Sequence, residues 1–133
     1  SHWAYKNRIQ EMRDYFEIPI TFKIGVETFD YDFRNGYLNK NAKFKTVEEL
    51  KEYFDSPCIM VGIKGQTREM IDRDMDIVLN NFDHATINVF VNNTSSVKRD
   101  EELVNWFSNK YKHLVDNPKI EILFNNTDFG VGD

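Results

Sequence analysis

Four segments of this chain alternate apolar and polar residues, and the stretches between them carry apolar residues at helical spacing. That change of period limits the fold more than any other feature, because strands alternating with helices build βαβ units and a parallel sheet. The first helix reads over residues 3–16, with Tyr5, Ile9, Met12 and Phe16 on one stripe. Residues 18–26 form the first strand, with Ile20, Phe22, Ile24 and Val26 on one side. A loop rich in Asp, Asn and aromatic residues covers 30–45. Thr46 and Glu49 make a capping box for a short helix bearing Val47, Leu50 and Phe54. Residues 58–63 are the second strand. Thr67 caps a helix with the stripe Ile71, Met75, Val78 and Phe82, and residues 85–92 are the third strand. Asp100 opens a helix carrying Leu103, Val104, Phe107, Tyr111 and Leu114, and 119–124 is the last strand. The length of 133 residues suits one domain, and no stretch reads as a linker or a repeat. The expectation is a single α/β domain over 1–133, with a mostly parallel sheet of about four strands.

Crossovers of this kind are right-handed, so the C-terminal ends of all strands share one edge. On that edge the sequence places GVETFD (25–30), GIKGQT (62–67), NNTSS (92–96) and NNTDFGVGD (125–133). Parallel α/β proteins bind ligands along that edge. Asn, Thr and Gly also favour ordinary turns; four such polar segments on one edge favour a site. The two N-N-T triplets also satisfy the N-glycosylation pattern. Other features speak for a cytoplasmic protein, in which those matches are chance. The N-terminal stretch SHWAYKNRIQEMRDYF has no signal-peptide character, and a single cysteine, Cys58, permits no internal disulfide. The net charge of −5 argues against a nucleic-acid partner, and no apolar run approaches the roughly 20 residues of a membrane span.

The two faces of the strands differ. Ile24, Val26, Ile59, Val61, Ile63, Ile87, Val89, Val91, Ile120 and Ile122 fall on one face, which must pack on the helices. Lys23, Glu27, Cys58, Met60, Lys64, Thr86, Asn88, Asn92 and Glu121 fall on the other. A parallel sheet covered on both sides reads apolar on both. Helices on one face only, with a polar inner face, resemble the inside of a barrel that holds a polar ligand. Four strands do not close a barrel, which needs about eight, so a sheet edge is left to find a partner. That partner is the remainder of a parent barrel or a self-associating edge. The alternative is a non-catalytic α/β module that binds a small polar ligand or a partner chain.

The stretch FKIGVETFDYDFR followed by IMVGIKGQTREM resembles the C-terminal half of a radical S-adenosylmethionine (SAM) enzyme with a partial (β/α)6 barrel. Gly25-Val26-Glu27-Thr28 and Gly62-Ile63-Lys64-Gly65-Gln66-Thr67 stand where that superfamily has a G-x-E-[ST] turn and a G-[IL]-x-G-[QE]-T turn. The resemblance implies that Glu27 and Thr28 contact the ribose and amino-acid portion of SAM. It implies that Gly62, Ile63, Gly65 and Gln66 approach the adenine, with Asn92 and Asn93 adding nucleoside contacts. Lys23, Lys64, Asn125, Asn126 and Asp128 would line the substrate end. Of the superfamily's G-x-I-x-G-x-x-E pattern, Ile63 and Gly65 are kept, Val61 replaces the first Gly, and Glu69 is one place late. The superfamily's [4Fe–4S] cluster is held by a C-x3-C-x2-C loop, and Cys58 is the one cysteine here. The resemblance therefore implies SAM and [4Fe–4S] in the parent protein and neither bound to this chain alone. It also implies that this chain alone is inactive.

Overall fold

A computed structural model of the chain describes residues 2–16 and 20–124. Its core is a four-stranded parallel sheet in the order β1 (Lys23–Glu27), β2 (Ser56–Val61), β3 (Ala85–Val89), β4 (Ile120–Leu123). Sequential strands are neighbours throughout, so the C-terminal ends of β1, β2 and β3 form one continuous rim. The helices are α1 (Lys6–Tyr15), α2 (Val47–Lys51), α3 (Arg68–Asn81) and α4 (Glu101–Tyr111). A π-helical turn, Phe33–Tyr37, lies between β1 and α2.

The expected faces are the observed ones. Ile24, Val26, Ile59, Val61, Ile87 and Val89 are 1% exposed or less and share one core cluster with Ile71, Met75, Val78, Leu103 and Phe107 from α3 and α4. Thr86, Asn88, Cys58 and Met60 belong to none of it. Burial of the apolar face drives this packing at about 25 cal/mol per Å². The caps also stand where the sequence puts them. The hydroxyls of Thr46 and Thr67 accept from the Glu49 and Met70 amides, and the Asp100 carboxylate accepts from the Leu103 amide.

Several elements differ from expectation, among them β1, which is strand over Lys23–Glu27 rather than 18–26. Strands β2 and β3 end two and three residues early, at Val61 and Val89; Gly62 turns left-handed at φ +94°, and the Phe90 amide on the Val61 carbonyl closes the ladder between them. The 30–45 segment is not loop alone: it holds the π-helical turn, closed around a buried Arg34. In α1 only Ile9 of the expected stripe is buried, while Tyr5, Met12 and Phe16 are exposed. The ion pair of Arg13 with Asp55 (2.7 Å) and the Trp3 ring against Phe44 and Tyr53 fix that rotation. Asn125, Asn126 and Asp128 lie outside the described residues.

Candidate ligand site at the strand ends

Strand β1 ends in an unusual conformation. The pairing skips Val26, so that Gly25 faces Cys58 and Glu27 faces Ile59. Glu27 sits at φ 70°, which costs a residue with a side chain of order 1 kcal/mol or more and clusters at functional sites. Its carboxylate takes a hydrogen bond from Lys40 at 3.3 Å, and both side chains are about nine-tenths covered. Burial pushes the Glu27 carboxyl above its ordinary range, and Lys40 opposes that rise.

The segment after β1 is held by two buried groups. Asp74 on α3 accepts from the Thr28 hydroxyl at 2.7 Å and from the Phe29 amide at 2.9 Å. Arg34 donates to the carbonyls of Thr28, Ala42 and Phe44, and its guanidinium lies 3.8 Å from the Phe44 ring centre. Thr28 is thus fully buried, with its hydroxyl engaged by Asp74 and by the Asp30 amide. Any ligand at this point meets Glu27 and backbone rather than the Thr28 side chain.

The turn after β2 is built on Gln66. Its side-chain carbonyl accepts from the Gly62 and Ile63 amides, at 2.9 and 3.0 Å, and its amide donates to the Met60 carbonyl. Gln66 is 7% exposed, so its first task is to close the turn. Gly65, at φ +107°, lies against the stacked rings of Phe33 and Tyr37. The turn is joined to the loop after β3 by the Lys64 amide on the Lys98 carbonyl and the Asp100 amide on the Gly62 carbonyl, both 2.8 Å. In that loop Asn92 accepts from the Arg99 amide and Asn93 from the Ser95 amide, and both side chains are exposed.

The structure therefore gathers Glu27, Thr28, Gly62, Ile63, Lys64, Gly65, Gln66, Asn92 and Asn93 on one rim. Lys23 does not join them. It opens β1 opposite Ser56, the first residue of β2, about 13 Å from Glu27 at 3.3 Å per residue. Period-two alternation assigns Lys23 a face, not a height along the strand, so the expected place at the substrate end did not follow from it. The sequence reading missed Arg34 and Asp74, and it placed Asn88 on the polar inner face without giving it a role. Asp74 had one signal, a carboxylate set beside Met75 in the apolar stripe of α3; Arg34 had none.

Burial pushes the Asp74 carboxyl up to about 6, although Thr28, the Phe29 amide and Arg73 pull it down. In the unfolded chain the group loses its proton near its ordinary value of 3.8. The folded state therefore holds the proton more tightly, and stability from this group falls as pH rises through about 6. Asp74→Asn keeps the shape and removes the charge. Its stability relative to wild type is expected to improve by about 2 kcal/mol between about pH 4.5 and pH 7. Urea unfolding at the two pH values checks this; a constant difference would show that Asp74 titrates normally.

The described residues contain no group of three or more His, Cys, Asp or Glu side chains placed to hold a metal ion. Cys58 stands alone on the inner face, and burial raises its thiol pKa. No helix among them is long and apolar enough to cross a membrane.

Fold and rim together define a parallel α/β sheet with helices on one face, and its strand-end rim is the edge at which parallel α/β proteins bind their ligands. Among solved structures the chain is similar to a queuine lyase from Clostridium spiroforme bound to SAM and queuine. The two share 51% identity with a TM-score of 0.92, over 98% of this chain and 57% of that one. The chain thus spans somewhat more than half the length of that protein. No family model matches the chain, and no protein with a curated description does.

Proposed function

We propose that this chain is the C-terminal part of a radical SAM enzyme that acts on queuine or a closely related 7-deazaguanine base. The observation that carries this reading is the 51% identity, over almost the whole chain, to a queuine lyase bound to SAM and queuine. The strand-end rim supports it. Glu27 and the backbone of the 62–66 turn are its contributions to SAM, with Asn92 and Asn93 at the margin. Lys64 and, outside the described residues, Asn125, Asn126 and Asp128 belong to the substrate end. Thr28 and Gln66 serve by holding the rim in shape.

A [4Fe–4S] cluster supplies the electron that cleaves SAM in such enzymes. It needs several thiolates, and this chain has one cysteine. These residues do not fit the cluster, and their part is to bind and orient. The partner surface in this reading is the rest of the barrel, pairing along an outer strand, β1 or β4, in a cytoplasmic enzyme. The test is anaerobic incubation of the full-length, cluster-loaded protein with SAM and queuine, followed by mass spectrometry. Queuine is expected to be consumed with formation of 5′-deoxyadenosine. Unchanged queuine, together with no queuine binding in calorimetry, would overturn the reading.

A further inference from the structure

The buried Asn88 carries an unmet hydrogen-bond acceptor among the described residues. It lies on β3, paired in register with Met60 of β2 and Leu123 of β4. Its chain neighbours Ile87 and Val89 face the helices at zero exposure, so its side chain stands on the opposite, inner face. There it is 3% exposed, and its Oδ1 has no hydrogen-bond partner among the described residues. Buried side-chain oxygens nearly always have a partner, and a leucine of similar size would relieve the chain of the unmet acceptor. Met60 and Leu123 carry no side-chain donor, and the amide of Gln66 is committed to the Met60 carbonyl. Asn88 also stands one residue short of the end of β3, directly inside the rim.

We infer that the Asn88 Oδ1 is a substrate-recognition acceptor, taking a hydrogen bond from an N–H of the bound base; this rests on the proposed function. A 7-deazaguanine base presents ring N–H and amino donors and no charge on that edge. A neutral carboxamide oxygen between Met60 and Leu123 matches such a donor without the desolvation cost of a carboxylate. A site built around one unmet acceptor favours a ligand that supplies the donor over one that does not.

The test is calorimetric titration of the full-length protein with queuine and, separately, with SAM, for wild type, Asn88→Leu and Asn88→Asp, together with thermal unfolding of each unliganded protein. Asn88→Leu is expected to unfold no lower than wild type, to bind queuine about tenfold more weakly or worse, and to keep its SAM affinity within about twofold. Asn88→Asp, which keeps an oxygen acceptor in place, is expected to bind queuine more tightly than the leucine variant. Equal queuine affinity in wild type and Asn88→Leu overturns the inference alone. So does a loss confined to SAM, or an equal loss of both ligands with a lowered unfolding temperature. If wild type itself does not bind queuine, the function reading falls and this inference with it.

Discussion

Replacing Arg34 by methionine is expected to cost about 4 kcal/mol or more of folding stability, a large share of the roughly 5–15 kcal/mol that holds a domain together. Methionine fills much of the same volume, so the loss isolates the polar part of the interaction. Arg34 is 1% exposed and gives hydrogen bonds to three backbone carbonyls: Ala42 at 3.0 Å, Thr28 at 3.1 Å and Phe44 at 2.6 Å. Each carbonyl left buried and bare costs about 1–3 kcal/mol. Those three carbonyls span the segment between β1 and α2, and one guanidinium holds them because its donors are set in a rigid fork. Arg34→Lys is therefore expected to fall between wild type and Arg34→Met, since an ammonium on a flexible stem does not reach all three. Urea unfolding of the three proteins gives the order. A loss below about 1 kcal/mol in Arg34→Met would mean that water or a rearranged loop satisfies the carbonyls. The consequence extends to the rim, because Lys40, which partners Glu27, lies inside the same segment.

The scaffold was largely legible in the sequence, and the reason is local. Period-two and helical patterns report which face of an element is buried, and the stripes Ile71–Met75–Val78 and Leu103–Val104–Phe107 are buried as written. Thr46, Thr67 and Asp100 could be read as caps because the bond each makes runs to an amide three residues on. What could not be read depends on partners distant in the chain. Asp74 meets Thr28 across 46 positions, and Arg34 acts through carbonyls, which have no residue identity to recognise. The exposed stripe of α1 failed for a related reason, since helical spacing names a face without saying whether anything covers it. In the candidate site, glycines at left-handed turns were recognisable, but the task of Gln66 was not. An amide at a turn reads equally well as a ligand contact or as the turn's own closure, and here closure takes up its hydrogen-bonding atoms.

Gly62→Ala is expected to cost about 3 kcal/mol, lowering the unfolding temperature by roughly 10 °C, from two sources that can be separated. The first is conformational: φ at Gly62 is +94°, where an L side chain is strained. The second is steric, since a Cβ at this position would stand 2.4 Å from Cγ2 of Val104 on α4. Valine in a helix has essentially one χ1 rotamer, so that methyl does not swing aside. Val104→Ala removes the obstacle. The double variant is expected to lose less stability than the sum of the two single ones, and the shortfall measures the steric part. What remains is the strain at φ +94°. Strict additivity would mean that α4 simply moves away and that packing does not dictate the glycine. The same cycle bears on the site. The 62–66 turn is proposed to meet the adenine of SAM, yet the glycine that opens it is already required where β2 passes under α4. Weak SAM binding by Gly62→Ala alone would therefore not distinguish a lost contact from a displaced turn. Gly62→Ala in the Val104→Ala background makes that distinction. If the steric share of the loss disappears while SAM affinity stays low, the backbone at 62 is needed by the ligand as well as by the fold.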